Sequence, residues 1–174
     1  MNAEIKNLEL TDLPVLAGWA EDEKTLIQWC GPVFDFPLTV EQLKEWYSES
    51  EKAEPTRYII KAVNEKGEIM GMSELGAIDR KRGTASLCRI FVAKKFRGWG
   101  IADKMISEIL RYAFNSLNMR RLELNVYSFN SPAIKCYERL GFVREGLKRK
   151  ITLIDGEIWD GYIYGLLREE WKDN

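Results

Sequence analysis

The sequence predicts an α+β or α/β domain around one mixed sheet, in which seven strands and four helices follow the order βααβββαβαββ. Seven segments alternate apolar and polar side chains as strands do, and four repeat apolar side chains at helical spacing. Clusters of glycine, proline, asparagine and aspartate separate these segments. A length of 174 residues is that of one domain, so we expect residues 1–174 to fold as a single domain.

The N-terminal part holds the first strand and two helices. A short strand at residues 5–10 precedes a helix at residues 13–20, whose start is marked by a capping threonine or aspartate and an early proline. Residues 25–38 mix glycine and proline with aromatic side chains, so we expect an irregular segment there. Thr39 then caps a helix at residues 40–51, with glutamine at the capping-box position.

From residue 57 the apolar pattern changes from helical to alternating. Strands at residues 57–63 and 68–78 flank a loop that contains glycine, which predicts a hairpin. The next strand, Thr84–Val92, alternates along its length, which assigns its side chains to two faces of the sheet. One face carries Ser86, Cys88, Ile90 and Val92, and the other carries Ala85, Leu87, Arg89 and Phe91.

The C-terminal part returns to alternating helices and strands. The longest helix covers residues 101–117, along which two apolar stripes run side by side. A strand at Arg121–Tyr127 follows, and a helix at residues 133–140 begins after a capping serine and ends at a glycine. Two last strands, at residues 143–153 and 158–167, meet at an Asp-Gly turn.

Composition excludes several classes of protein. The 26 lysine and arginine residues nearly balance the 27 aspartate and glutamate residues, so a strongly basic nucleic-acid-binding surface is not expected. The chain has no histidine and no CxxC pair, which excludes a Cys/His zinc site, a Ser–His–Asp triad and a Cys–His dyad. No signal-peptide pattern opens the chain, and no apolar run has the length of a membrane span. We expect no metal, no nucleic acid and no membrane, and a cytoplasmic location.

A basic, glycine-rich loop joins the strand that ends at Val92 to the longest helix. It reads Arg97-Gly98-Trp99-Gly100-Ile101-Ala102. Free N–H groups at a helix N-terminus point outward, the helix dipole adds partial positive charge, and glycines let an anion approach the backbone. These features favour a pyrophosphate site, and the alternative is a tight turn that needs two glycines. The loop is not a Walker P-loop, because no Gly-Lys-Ser/Thr follows, and Asp103 replaces the third glycine of a dinucleotide fingerprint.

This loop is similar to the Arg/Gln-x-x-Gly-x-Gly/Ala signature of the GNAT superfamily of N-acetyltransferases. A later block, from Asn130 through Ala133 and Tyr137 to Gly141-Phe142, resembles the superfamily's Asn-x-x-Ala-x-x-x-Tyr-x-x-x-Gly-Phe motif. The resemblance implies a three-layer fold with a mixed, mostly antiparallel sheet, and acetyl-CoA as co-substrate. The closing segments resemble the branch that acetylates ribosomal-protein N-termini or polyamines.

The resemblance also implies a set of cofactor-binding residues. The strand that carries Ile90, Phe91 and Val92 is expected to separate from Arg121–Tyr127, so that the pantetheine arm bonds to backbone groups that have lost a strand partner. Backbone amides of the glycine-rich loop would hold the pyrophosphate. Asn130 would hydrogen-bond the pantetheine arm, and its alternative role is that of a turn residue. The full expected set is Ile90, Phe91, Val92, Arg97, Gly98, Trp99, Gly100, Ile101, Ala102 and Asn130.

Tyr137 matches the family's general acid. In the implied reaction, a neutral amine attacks the thioester directly, a backbone N–H near Val92 stabilises the oxyanion, and the phenol protonates the leaving thiolate. Without the motif, Tyr137 would be interpreted as a packing residue of an amphipathic helix. With no histidine to activate it, Cys136 is interpreted as a small buried helix residue rather than a nucleophile.

The base that deprotonates the amine is not identified by the sequence. Many relatives place a glutamate five residues before the motif asparagine, where this chain has Asn125. Glu74 and Glu123 are candidates by strand location, although each is more typical of a solvated surface charge, and deprotonation through water is equally open. Arg89 is expected either to form a salt bridge or to line the cleft. The alternative function is a non-catalytic CoA-binding or protein-interaction module, and a homodimer through the closing hairpin is expected.

Overall fold

A computed structural model describes residues 2–173, so Met1 and Asn174 of the predicted 1–174 domain lie outside the described residues. The strands are β1 (Glu4–Asn7), β2 (Tyr58–Val63), β3 (Ile69–Asp79), β4 (Thr84–Val92), β5 (Arg121–Tyr127), β6 (Val143–Ile154) and β7 (Glu157–Leu167). They form one sheet in the order β1-β2-β3-β4-β5-β7-β6. Only β4 and β5 pair in parallel in this described sheet, and every other neighbouring pair is antiparallel. The predicted mixed, mostly antiparallel sheet is confirmed.

Helices cover both faces of this sheet. They are α1 (Leu13–Ala17), α2 (Glu23–Cys30), α3 (Val40–Ser48), α4 (Ile101–Arg111) and α5 (Ser131–Arg139). The neighbouring β2 residues Ile59 and Ile60 belong to different apolar cores, so the two cores lie on opposite faces. One core contains the buried side chains of α4 and α5, and the other contains those of α1 to α3. The result is the expected three-layer arrangement, with an α4–α5 face and an α1–α3 face.

The second helix corrects the sequence prediction of four helices. Residues 23–30 lie mostly in a segment that we expected to be irregular, but they form α2. The Asp22 side chain caps it by accepting a hydrogen bond from Thr25 N at 2.6 Å, and Gly31 ends it with a φ of 65°. The buried residues Leu26, Trp29 and Cys30 have helical spacing. The glycine and prolines that predicted a loop begin only after the helix ends.

Three other helices are shorter than predicted. The helix expected at residues 40–51 ends at Ser48. The helix expected at residues 13–20 ends at Ala17, because Gly18 follows it as the C-cap. The helix expected at residues 101–117 is α-helical only to Arg111 and then forms a π turn at Tyr112–Ser116. A hydrogen bond of 3.0 Å from Leu117 N to the carbonyl of Tyr112, five residues earlier, closes this turn.

A β-bulge in β4 overturns the predicted alternation of that strand. Met72 of β3 pairs with Phe91 and Glu74 pairs with Cys88, so two residues of β4, Arg89 and Ile90, face one residue of β3. Arg89 takes a φ of +46° to make this possible. The extra residue reverses which face the following side chains of β4 point to. Leu87, before the bulge, packs in the α4–α5 core, whereas Phe91, after it, packs in the α1–α3 core. The sequence alternation had placed both on one face.

Candidate active site

A cleft opens where β4 and β5 separate. The two strands pair only from Thr84 with Arg121 to Ser86 with Glu123, just before the bulge at Arg89 bends β4. Beyond Ser86, backbone groups on the two facing edges have no strand partner across the gap, which leaves them available to a ligand. The cleft has a volume of about 1250 Å³, enough for a large ligand.

Most of the residues expected from the sequence to bind the cofactor line this cleft. They are Ile90, Phe91, Val92, Arg97, Gly98, Gly100, Ile101, Ala102 and Asn130, and Tyr137 lines it as well. Trp99 is the exception, because its side chain is 53% exposed and lies outside the lining. The expected contribution of Trp99 to cofactor binding therefore stays a prediction.

The N-terminus of α4 presents a row of free amides to the cleft. Gly98 and Gly100 adopt φ values of +80° and +72°, and a Cβ on either would meet open space. No acceptor among residues 2–173 takes a hydrogen bond from the backbone N–H groups of residues 98 to 103. Unpartnered N–H groups at a helix N-terminus bind anions, so this loop fits the diphosphate of a CoA molecule.

Basic side chains beside this loop are partly engaged within the protein. Arg97 donates from Nε to the Val92 carbonyl at 3.0 Å, and its own amide donates to the Lys94 carbonyl at 3.3 Å. The expected row of pyrophosphate-binding amides therefore begins at Gly98 rather than at Arg97. Lys94 forms an ion pair with Glu21 at the protein surface, where solvent weakens the pair and leaves the lysine able to attract an anion.

Asn130, and not the predicted Ser131, is the N-cap of α5, so the helix begins at Ser131 rather than at residue 133. Oδ1 of Asn130 accepts a long hydrogen bond of 3.4 Å from Ala133 N, and its own amide donates to the Tyr127 carbonyl at 2.9 Å. The side-chain Nδ2 has no acceptor among the described residues and can donate into the cleft. The capping role and the expected ligand-binding role therefore use different atoms of one amide.

Tyr137 lies on α5 at the floor of the cleft. Only 7% of its surface is exposed, and it packs in the α4–α5 core against Phe142. Its hydroxyl has no hydrogen-bond partner within residues 2–173. Burial raises the pKa of the phenol, so the group stays protonated at neutral pH. A protonated phenol with a free hydroxyl can donate a proton to a ligand.

The three cysteine thiols also line the cleft, but they are poor nucleophiles. Burial raises the pKa of Cys88 to about 11 and that of Cys136 to about 12. It also raises the pKa of Cys30. Because the thiolate is the reactive form, these thiols are almost entirely unreactive near neutral pH.

Replacing Cys136 by alanine therefore tests for a covalent intermediate. We expect Cys136→Ala to keep turnover within about threefold of the wild type, because a buried thiol with a raised pKa serves only packing. Mass spectrometry of the intact protein after mixing with acetyl-CoA alone provides the check. Stoichiometric acetylation that disappears in the variant would contradict the expectation.

The cleft opens to both faces of the sheet. Along β5, Leu122, Leu124 and Val126 pack in the α4–α5 core, so Asn125 and Tyr127 face the α1–α3 side. Tyr127 packs there beside Trp159, in an aromatic cluster that α2 reaches through Ile27. The cradle of amides and Tyr137 belong to the α4–α5 side. A second ligand can therefore approach the same gap from the α1–α3 side.

A buried charged cluster lies under this α1–α3 opening. Glu74 is only 1% exposed and accepts hydrogen bonds from Arg89 at 2.7 Å and from Trp46 Nε1 at 3.1 Å. Arg57 lies 3.5 Å from the same carboxylate. The interpretation of Glu74 as a solvated surface charge is wrong, because its carboxylate is buried. Its ion-pair partners, Arg57 and Arg89, are distant from it in sequence. Arg89 fulfils both alternatives, since it forms a salt bridge and lines the cleft.

Asn125 occupies the position of the missing glutamate. Its Oδ1 accepts a hydrogen bond of 3.0 Å from Lys148 Nζ, and both residues line the cleft. The sequence interpretation did not single out Lys148, which reaches the site from β6 through the pairing of β6 with β7. Glu123 is exposed, as expected for a surface charge, and lies outside the lining.

Residues 2–173 contain no cluster of three or more cysteine, aspartate and glutamate side chains that is arranged to bind a metal ion. None of the helices within this range combines the length and the apolarity that crossing a membrane requires.

Comparison with known proteins identifies the family. The profile of the acetyltransferase (GNAT) family matches residues 19–142. The SPbeta prophage-derived uncharacterized N-acetyltransferase YokL of Bacillus subtilis is 38% identical over 139 residues, which cover 80% of this chain and 77% of that protein. The spermidine N(1)-acetyltransferase of Vibrio cholerae is 27% identical over 165 residues, 92% of this chain and 91% of that protein.

A solved structure has the same fold. The spermidine N-acetyltransferase from Vibrio cholerae, in complex with CoA and spermine, superposes with a TM-score of 0.82 at 24% identity, over 97% of this chain and 96% of that one. This likeness confirms the predicted fold, and the profile and the sequence relatives confirm the predicted superfamily. The chain belongs to the GNAT family of acetyltransferases and is an acetyl-CoA-dependent N-acetyltransferase.

Proposed function

We propose that the protein acetylates a primary amine by direct attack within the cleft between β4 and β5, with Tyr137 as the general acid. One observation carries this proposal: the free amides at the N-terminus of α4 and the unpartnered hydroxyl of Tyr137 border the same cleft. The amides fit a diphosphate, and the hydroxyl lies on the same α4–α5 side. Acetyl-CoA supplies the acetyl thioester when it is bound.

Each residue of the cleft then has a separate task. The N–H groups of residues 98 to 103 bind the diphosphate, and the free Nδ2 of Asn130 binds the pantetheine arm. The free backbone edge of β4 near Val92 orients that arm and provides an N–H donor where negative charge develops. Tyr137 donates its phenolic proton to the departing sulfur, and its burial keeps that proton in place until then.

The amine proton leaves through water in this proposal. Within the described lining, the only carboxylate is Asp103, which pairs with Arg139 at 2.6 Å on the α4–α5 side. Asn125 cannot accept a proton, and Glu74 lies beneath Arg89, outside the lining. The reactive species is therefore the fraction of acceptor that is already neutral in solution.

This absence of a protein base predicts the pH dependence. We expect kcat/KM to rise tenfold per pH unit below the pKa of the acceptor amine and to level off above it. Two acceptors whose amine pKa values differ by about two units should then have midpoints that differ by about two units. Rate–pH profiles with both acceptors check this. A midpoint at the same pH for both would instead reveal a titrating protein group.

Thiol release in the presence of acetyl-CoA and a panel of amines tests the function. The panel contains N-terminal peptides, polyamines, free amino acids and aminoglycosides, and isothermal titration measures CoA binding in parallel. The function predicts acceptor-dependent release. CoA binding without release by any amine would favour the second candidate, a non-catalytic CoA-binding module, which the replacement of the family's glutamate by Asn125 supports.

Several expectations from the sequence belong to this proposal as well. We propose a single domain over residues 1–174, a cytoplasmic location and a homodimer through the closing hairpin. Exposed apolar side chains on β6 support the homodimer, since an uncovered apolar strand edge is prone to pair with another copy. They include Leu147 and Leu153.

A further inference from the structure

We infer that the acceptor is an amine that also carries a carboxylate, and that Arg89 and Lys148 bind this carboxylate on the α1–α3 side of the cleft. The inference rests on the proposed function and specifies its substrate class. It distinguishes a zwitterionic acceptor, such as a free amino acid or a peptide with an acidic residue near its N-terminus, from a polycation.

The cluster beneath the opening has one positive charge in excess. Arg57 and Arg89 both face Glu74, and the side chains of the two arginines are only 19% and 14% exposed. Two guanidinium groups and one carboxylate leave a net charge of +1 in a poorly solvated place. An uncompensated buried charge is costly, so an anion that enters the cleft next to Arg89 would be bound favourably.

The hydrogen bonds of this cluster are also incomplete. Within residues 2–173, three buried nitrogen atoms have no hydrogen-bond partner, namely Arg57 Nε, Arg57 Nη1 and Arg89 Nε. Arg57 Nη1 lies at ion-pair distance from Glu74, 3.5 Å, but is not hydrogen-bonded to it. The neighbouring thiols cannot neutralise the charge, because burial keeps Cys30 and Cys88 protonated at neutral pH. Buried donors without a partner are commonly completed by a water or an ion, and a carboxylate suits a guanidinium group. Of the two arginines, only Arg89 lines the cleft, so Arg89 is the one that an entering carboxylate can reach.

Lys148 places a second positive charge on the same side. Its ammonium contacts Asn125, which faces the α1–α3 side, and it lines the cleft. A glutamate at position 125 would have neutralised it, whereas the amide leaves the charge in place. The substitution that removes the family's base therefore also makes this side of the cleft more positive.

Nearby carboxylates do not reverse this charge. Glu49, whose charge interacts with that of Arg57, is paired with Lys52 at 2.5 Å. Glu157 pairs with Lys24 at 2.7 Å, and Glu123 lies 3.9 Å from Arg121. None of the three lines the cleft, and the only lining carboxylate within the described residues, Asp103, belongs to the other side. A polyamine carries several positive charges and needs carboxylates around it, so this opening repels it. A zwitterion places its carboxylate on the cations and its amine toward the thioester.

Thiol release with matched acceptors tests the inference. The free amino acids L-glutamate and L-methionine are compared with spermidine and with ethanolamine, which has an amine and no carboxylate. Peptide amides that begin with Asp-Ala and Lys-Ala separate a side-chain carboxylate from that of a free amino acid. We expect kcat/KM to be at least about tenfold higher for the acceptors with a carboxylate, the worth of one charge-assisted hydrogen bond.

Two variants and a control assign the effect to residues. Lys148→Glu should lower kcat/KM for carboxylate-bearing acceptors at least about tenfold and raise that for spermidine, because it reverses an exposed charge without opening the core. Arg89→Lys keeps the charge near Glu74 but loses the two-nitrogen fork, so it should weaken the same acceptors. Arg149→Gln, an exposed residue next to Lys148 that does not line the cleft, should change none of these values.

The outcomes separate the inference from the proposed function. Spermidine or ethanolamine used as well as the amino acids would overturn the inference and leave the acetyltransferase reaction intact. A loss of CoA affinity in Lys148→Glu or Arg89→Lys, as large as the loss of kcat/KM, would also overturn it, because the cations would then serve the cofactor. No release with any amine would overturn the proposed function and the inference together.

Discussion

Replacing Tyr137 by phenylalanine is expected to lower kcat by a factor of about 10² to 10⁴, the usual contribution of a general acid. The variant loses one buried oxygen that has no partner within the described chain, so the fold and the cleft should stay unchanged. The leaving thiolate then has to depart without a proton. Steady-state thiol release with a saturating acceptor measures kcat, and isothermal titration should find the affinity for CoA within about twofold of the wild type, since the diphosphate site is elsewhere.

Tyr164 provides the matched control. Tyr164 is fully buried on β7 and lies outside the cleft. Its hydroxyl donates a hydrogen bond of 2.8 Å to Glu138, which lies next to Tyr137 on α5. Tyr164→Phe should cost about 1 kcal/mol of stability, the worth of one hydrogen bond, and leave kcat unchanged. Wild-type turnover in Tyr137→Phe would remove Tyr137 from the mechanism. Equal losses in both variants would indicate a structural effect.

Replacing Gly100 by valine is expected to weaken CoA binding by a factor of about 10 to 100 or more, the value of one or two charge-assisted hydrogen bonds. Gly100 has a φ of +72°, a conformation that a β-branched residue avoids. The new side chain would either project into the site or turn the free amides away from it. Isothermal titration with CoA measures the loss.

Gly67 separates backbone strain from ligand binding. It has a φ of +76°, a Cβ there would also meet open space, and it lies in the β2–β3 loop, outside the cleft. Each of the two valine substitutions should therefore lower the free energy of unfolding by about 1–2 kcal/mol, because both force a β-branched residue into a positive φ. Only Gly100→Val should weaken CoA binding, and Gly67→Val should keep the wild-type affinity. Equal CoA affinity in Gly100→Val and the wild type would mean that the loop does not bind the diphosphate.

The features that depend on local sequence could be predicted before the structure. The glycines of the loop lie where the motif predicts, because neighbouring residues set their positions. The start of α5 was predicted to within two residues, although its cap is Asn130 rather than the predicted Ser131. The gap between β4 and β5 was expected only through the resemblance to a family. The structure gives its physical cause, which is the bulge at Arg89 immediately after the strands stop pairing.

The features that depend on strand register could not be predicted. The bulge at Arg89 follows from how β4 pairs with β3, and no glycine or proline in β4 indicates it. Glu74 looked like a surface charge because its partners are distant in sequence: Arg57 lies just before β2, and Arg89 lies on β4. Lys148 enters the cleft through the pairing of the last two strands.

Helix α2 was not predicted for a different reason. The glycine and prolines that follow it led the whole segment to be interpreted as irregular, and the cap at Asp22 was not recognised.

A crystal structure of the protein with CoA tests the central claim most directly, namely that the loop before α4 binds a diphosphate through its main chain. The claim predicts diphosphate oxygens within hydrogen-bond distance of backbone nitrogens between residues 98 and 103, with the pantetheine arm between β4 and β5. A diphosphate bound elsewhere, with those nitrogens facing only solvent, would contradict it.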